Sequence, residues 1–154
     1  MVLAGCAASG ASYYDQLAKS RPFPPTQAHV TVYRTGESSQ YSGRDARISV
    51  EGKAVVDVAY KGFNMFNLNP GNHVLSVDIW DSPGSCALPV MIEDLKDYYF
   101  EVRPRPANLA GFLLGGVIGA SIESSGKQCG GAFALAPVDE SVALPALAPL
   151  KMTE

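Results

Sequence analysis

Alternation of apolar and polar positions dominates the chain from His29 onward. In His29-Val30-Thr31-Val32-Tyr33-Arg34, Val30 and Val32 share one face while Thr31 and Tyr33 share the other. A period of two in β-branched residues predicts a strand. Arg47-Ile48-Ser49-Val50 repeats the pattern with Ile48 and Val50 inward, and Glu51-Gly52-Lys53 reads as a tight turn into a returning strand, Ala54 to Tyr60. Glycine there supplies the positive φ that a short hairpin needs. Lys61-Gly62 turns again into Phe63 to Leu68, and Asn69-Pro70-Gly71-Asn72 is a strong turn signal. His73 to Trp80 is the clearest strand, with Leu75, Val77 and Ile79 on one face and Ser76 and Asp78 on the other. Ala87 to Ile92 follows, interrupted by Pro89, which suggests an edge or a bulge. Asp97 to Arg103 is an aromatic-rich strand stopped by Pro104 and Pro106, and Gly131 to Val138 reads as the last one.

Short strands at close intervals, separated by turn signals, predict an all-β chain: a small antiparallel sandwich of about seven or eight strands. No helical pattern has the length that βαβ units need. Tyr13 to Ser20 has room for one or two helical turns, and Arg21-Pro22-Phe23-Pro24-Pro25 favours an extended polyproline II spacer. The organisation expected is a flexible Pro-rich tether over 1–27, a sandwich over 28–140 and a tail over 141–154. In the tail Ala143, Leu144, Leu147 and Leu150 fall at helical spacing, and Pro145 and Pro149 limit them to a short turn or an irregular end.

Composition narrows the function classes. The chain has 154 residues, with 12 Lys+Arg against 15 Asp+Glu and a formal net charge of −3, which excludes the basic footprint of a nucleic-acid binder. Hydrophobics at 47% supply enough apolar surface to offset chain entropy, so global disorder is excluded. No apolar run approaches the ~20 residues of a spanning helix.

Leu3-Ala4-Gly5-Cys6 resembles the lipobox of bacterial lipoproteins. Small residues before the cysteine let the backbone enter a membrane-embedded peptidase, and the thiol takes the diacylglyceryl group. Five residues cannot hold both a basic and an apolar leader region, so the expectation is that the gene encodes more leader upstream of Met1. Ala7 is not aspartate, which by the same resemblance implies the outer membrane, with the domain facing the periplasm. Setting Cys6 aside for lipid leaves Cys86 and Cys129, which in an oxidising compartment read as one disulfide. Two buried free thiols are the alternative.

Between about Ala28 and Leu150 the order of features resembles the bacterial domain-of-unknown-function family 2846, common in envelope lipoproteins. The resemblance is carried by Val30-Thr31-Val32-Tyr33-Arg34, Ile48-Ser49-Val50-Glu51-Gly52-Lys53, Leu68-Asn69-Pro70-Gly71-Asn72-His73, Tyr98-Tyr99-Phe100-Glu101-Val102 and Leu135-Ala136-Pro137-Val138-Asp139-Glu140. Similar turns occur in PEGA-type and transthyretin-like modules. The resemblance implies a transthyretin- or immunoglobulin-like sandwich without catalytic residues.

The stretch Leu109 to Ile122 departs most from a sandwich strand. Gly111, Gly115 and Gly119 recur every fourth residue between Phe112, Leu113, Leu114, Val117 and Ile118. On a helix these glycines form one flat face for a close neighbour. One reading makes the large residues an exposed interaction patch, docking on a membrane, an envelope protein or a second copy. The other makes the stretch a partly buried glycine-rich connection. It carries no Gly-Lys-Ser/Thr ending, so it is not a phosphate loop.

Other polar groups point to no reaction. His29 and His73 read as surface or hairpin-end residues without ligand spacing, and Asp78, Asp81, Glu93 and Asp94 as solvated strand-end charges. Arg103 and Arg105 read as a solvated strand exit, and no Gly-x-Ser-x-Gly elbow occurs. No catalytic residue, metal or cofactor is expected. The sequence therefore points to a lipid-anchored, non-enzymatic binding or structural module of the cell envelope. A small periplasmic hydrolase and a membrane-active protein using residues 109–122 are the alternatives.

Overall fold

The computed structural model describes residues 7–105 and 130–154. Among these, a helix α1 (Tyr13–Ser20) precedes the strands β1 (Ala28–Arg34), β2 (Ala46–Val50), β3 (Lys53–Val58), β4 (Gly62–Leu68), β5 (Gly71–Ile79), β6 (Ser82–Ile92), β7 (Asp97–Pro104) and β8 (Phe133–Val138). A helix α2 (Glu140–Leu147) and a two-residue strand β9 (Lys151–Met152) close the chain. The strands form two sheets, ordered β8-β7-β1-β4-β9 and β3-β2-β5-β6. The fold is the small all-β sandwich that the alternation predicts.

Local signals place the hairpins. Between Val50 and Lys53, Glu51 (φ 48) and Gly52 (φ 79) both take the left-handed region, the tight turn whose twist suits antiparallel strands. Trp80 and Asp81 form the two-residue tip between the paired Ile79 and Ser82. β6 lies at a sheet edge, as Pro89 suggests, because a proline there forfeits no ladder bond.

Two features depart from the expected antiparallel arrangement. β1 runs parallel to β7, and β9 runs parallel to β4. Parallel neighbours need long connections, and β1 reaches β7 only after the whole second sheet has been laid down. Period-two patterns do not encode strand direction.

The core also has a second layer. Val30, Val32, Ile48, Leu75, Val77, Phe100 and Leu135 fill the space between the sheets. Tyr13, Tyr33, Phe63, Tyr99, Ala143, Leu147 and Leu150 form a separate cluster on the opposite face of the five-stranded sheet. That face, read from the alternation as the outer one, is covered by α1 and α2, so every residue of β1 is buried. Buried tyrosines make such a cover workable, since each offers a large apolar body with one polar tip. Burial raises the Tyr13 and Tyr99 hydroxyls above the ordinary range and pushes Tyr33 up to about 12.

The expected flexible tether is therefore not what residues 7–27 form. Ser12 caps α1 by accepting from the Asp15 N–H, and Tyr13 is 1% exposed, packed edge-on against Phe63. The apolar face of α1 needs a partner because eight residues do not hold a helix alone. The tail is likewise a packed helix, with Ala143 and Leu147 buried despite Pro145.

Candidate functional site

One end of the sandwich gathers most of the irregular structure. It comprises loop 35–45, the Tyr60-Lys61 turn, the Trp80-Asp81 tip, and Arg105 and Gly130, where the chain leaves and re-enters the described residues. Arg34 closes β1 here and is 1% exposed. Its guanidinium donates to the carbonyls of Arg44 (2.7 Å) and Gln40 (2.8 Å) and stands 4.6 Å from the Phe133 ring centroid and 5.6 Å from that of Tyr60. Burial lowers its pKa from the usual arginine value. The planar fork suits this position because it satisfies two carbonyls at once while stacking on rings. Tyr60 donates to the Gly36 carbonyl at 3.2 Å, and Arg44 pairs with Asp81 at 2.7 Å. A continuous set of contacts thus runs from Tyr60 through Arg34 and Arg44 to the Trp80-Asp81 tip. Trp80 itself is 74% exposed.

The N-terminal segment is fastened to the same end. Ala7 bridges to Tyr60, and the Ala8 N–H donates to the Tyr60 carbonyl at 3.1 Å. Gly10 N–H donates to Met152 O at 3.0 Å, and Met152 N–H donates to Ala11 O at 2.8 Å. Residues 10–12 therefore extend the sheet beyond β9. Gly62 is required by this docking, because a Cβ there would sit 2.7 Å from the Ala8 Cβ.

Beyond the tip, β6 is irregular opposite Asp78, and its Gly84 (φ +91) meets Gly131 (φ +81) backbone to backbone. The Gly130 N–H donates to Ser85 O at 2.8 Å, and the Arg105 N–H donates to Ala132 O at 2.7 Å. Arg105, expected at a solvated exit, instead donates from its guanidinium to Gly131 O at 3.0 Å.

The opposite end holds both histidines. His29 was expected at the surface but is 4% exposed, because the Phe23 ring of the proline-rich segment stacks on it at 4.2 Å. Burial lowers its pKa, against an opposing pull from Asp97 3.7 Å away. That distance is too long for the oriented hydrogen bond of a catalytic pair. Arg21, Gln27, Leu95 and Lys96 join them around a cleft of ≈ 270 Å³. His73 sits at a hairpin end as expected. Partial burial opposes its charge, but the Asn69 carbonyl and the Glu51 carboxylate both face ring nitrogens and raise its pKa overall. With acceptors at 2.8 Å and 3.2 Å, both nitrogens are best used as donors. The Val74 N–H holds the Glu51 carboxylate below its usual range.

A larger cleft of ≈ 520 Å³ lies against β7, β8 and α2, with Tyr98, Arg103, Asp139 and Glu140 on its walls. Arg103 is spent on Glu101 at 2.7 Å. Among the expected strand-end charges, Glu93 pairs with Lys96, while Asp78 is half-buried and its Oδ1 is without a partner among the described residues. No group of three metal-binding side chains occurs among the described residues.

Of the residues singled out from the sequence, Cys86 lies buried on β6. Cys6, Cys129, Phe112, Leu113, Leu114, Val117 and Ile118 lie outside the described residues. Arg34 was missed because a charged residue at the end of a strand ordinarily marks solvent. The one available signal was its position between a β-branched strand and a serine-rich loop. Comparison with family models, with curated proteins and with solved structures found no match to this chain.

Proposed function

We propose that this chain is a lipid-anchored, non-enzymatic binding or structural module of the bacterial cell envelope, held to the outer membrane through Cys6 and facing the periplasm. The observation that carries the reading is the Leu3-Ala4-Gly5-Cys6 sequence, followed from Ala7 onward by a chain fastened to a folded sandwich. An acyl group at Cys6 would tether a domain whose fold is already complete without it. The test is growth of the native gene's host with labelled palmitate. Label is expected in the wild-type protein and absent from Cys6→Ala; equal label in both, or none in either, overturns the anchor.

An oxidising compartment also supports pairing Cys86 with Cys129. The Gly130 N–H to Ser85 carbonyl bond, between residues that flank the two cysteines in sequence, supports that pairing. Closing that loop contributes roughly 4 kcal/mol in the chain-entropy model. Peptide mapping of the unreduced protein should recover the linked 86 and 129 peptides, and alkylation of both thiols without reduction would overturn the pairing.

A further inference from the structure

We infer that the sandwich lies directly on the bilayer, with the Trp80 end as its membrane-contacting face. This rests on the acylation of Cys6 proposed above. The first argument is the lack of slack. Ala7 bridges to Tyr60 and the Ala8 N–H bonds to the Tyr60 carbonyl. Cys6 is one peptide unit away, about 3.8 Å between Cα atoms. The residues that could have acted as a spacer, from Tyr13 to Gln27, instead run back over the sheet and carry the buried Tyr13. An acyl chain on Cys6 therefore pulls this end, and no other, down to the lipid.

The second argument is what the end presents. Trp80 occupies the hairpin tip at 74% exposure, where it contributes nothing to the core. An indole combines an apolar body with one N–H donor, and such side chains gather at the level of lipid headgroups. Tyr60 and Lys61 share this end, with the lysine over the tyrosine ring. Arg34 and Arg44 are already engaged with carbonyls and with Asp81, so the surface fits a zwitterionic lipid surface without needing an anionic one.

Trp80 is the sole tryptophan, so its emission reports this one site. The full chain is expressed behind a lipoprotein leader, its acylation verified by intact mass, and it is reconstituted into phosphatidylcholine vesicles. Trp80 emission is expected to shift to the blue relative to soluble Cys6→Ala. It should be quenched by brominated phosphatidylcholine, more strongly with bromines near the headgroup than near the chain ends. In the double variant Trp80→Phe with Leu95→Trp, the reporter moves to an exposed position at the far end, and emission should stay red and unquenched. An acylated, vesicle-bound chain with Trp80 emission unmoved, or with equal quenching from both positions, overturns this inference and leaves the anchor standing. A chain whose intact mass lacks the acyl group overturns the anchor, and this inference with it.

Discussion

Replacing Tyr13 with alanine tests whether the N-terminal segment is part of the fold. Tyr13 is 1% exposed and packs among Tyr33, Phe63, Tyr99 and Leu147. An aromatic side chain of this kind removes roughly 150–250 Å² from water. At ~25 cal/mol per Å² this corresponds to about 4–6 kcal/mol. The hydroxyl lowers the figure, since its own burial opposes folding, and aromatic-to-alanine truncations in cores cost about 3–5 kcal/mol. For a chain of this length each kcal/mol shifts the thermal midpoint by roughly 2–4 °C, so Tyr13→Ala should melt about 6–20 °C lower. Urea titration followed by far-UV circular dichroism separates two routes to that loss. If α1 and the sandwich unfold together, the midpoint falls and the slope with urea is preserved. If α1 detaches first, the slope falls as well, because the remaining transition exposes less surface. Tyr13→Phe keeps the packing and should cost much less than Tyr13→Ala. A Tyr13→Ala loss within about 0.5 kcal/mol, the range of exposed substitutions, would refute the second core layer as described.

The other predictions concern the two histidines and the glycine contact. Burial lowers the His29 pKa, so the unfolded chain binds the proton more readily. Stability should fall as pH drops below ~6.5, the ordinary histidine value, and on through the lowered folded value. His73 has a raised pKa and works oppositely, stabilising below ~6.5 and losing that contribution as pH rises through its folded value. Urea midpoints from pH 5 to 8 should lose the first dependence in His29→Gln and the second in His73→Gln; unchanged slopes in both variants would contradict the assignment. Gly131→Ala should lower stability by about 1–3 kcal/mol, because φ is +81 and the new Cβ would lie 2.6 Å from the Gly84 carbonyl. Gly43→Ala, where a Cβ meets nothing within 4 Å, is the control and should be near neutral; equal melting points for the two variants would reject the close contact.

Local chemistry in the sequence determined a good deal. Val30 and Val32, Ile48 and Val50, and Leu75, Val77 and Ile79 had to lie on strand faces, because period-two alternation makes any other arrangement leave them wet. Glu51-Gly52 had to turn, and Pro89 had to sit where no ladder bond is missed. These are short-range constraints, readable within a window of a few residues. What lay beyond such a window was decided only in three dimensions. Thr31 and Tyr33 alternate as if outward, yet α1 and α2, from opposite ends of the chain, cover them. The parallel pairing of β1 with β7 joins segments separated by the entire second sheet. His29 is buried because Phe23 folds back onto it, and Arg34 because a distant Phe133 and two loop carbonyls enclose it. The placement of the N-terminal segment followed the same division: Ala7 and Trp80 are visible in the sequence, but their common end is not. Hydrophobic patterning dictates that a surface must be covered, while the identity of the covering segment depends on long-range packing, to which a local pattern contributes no term.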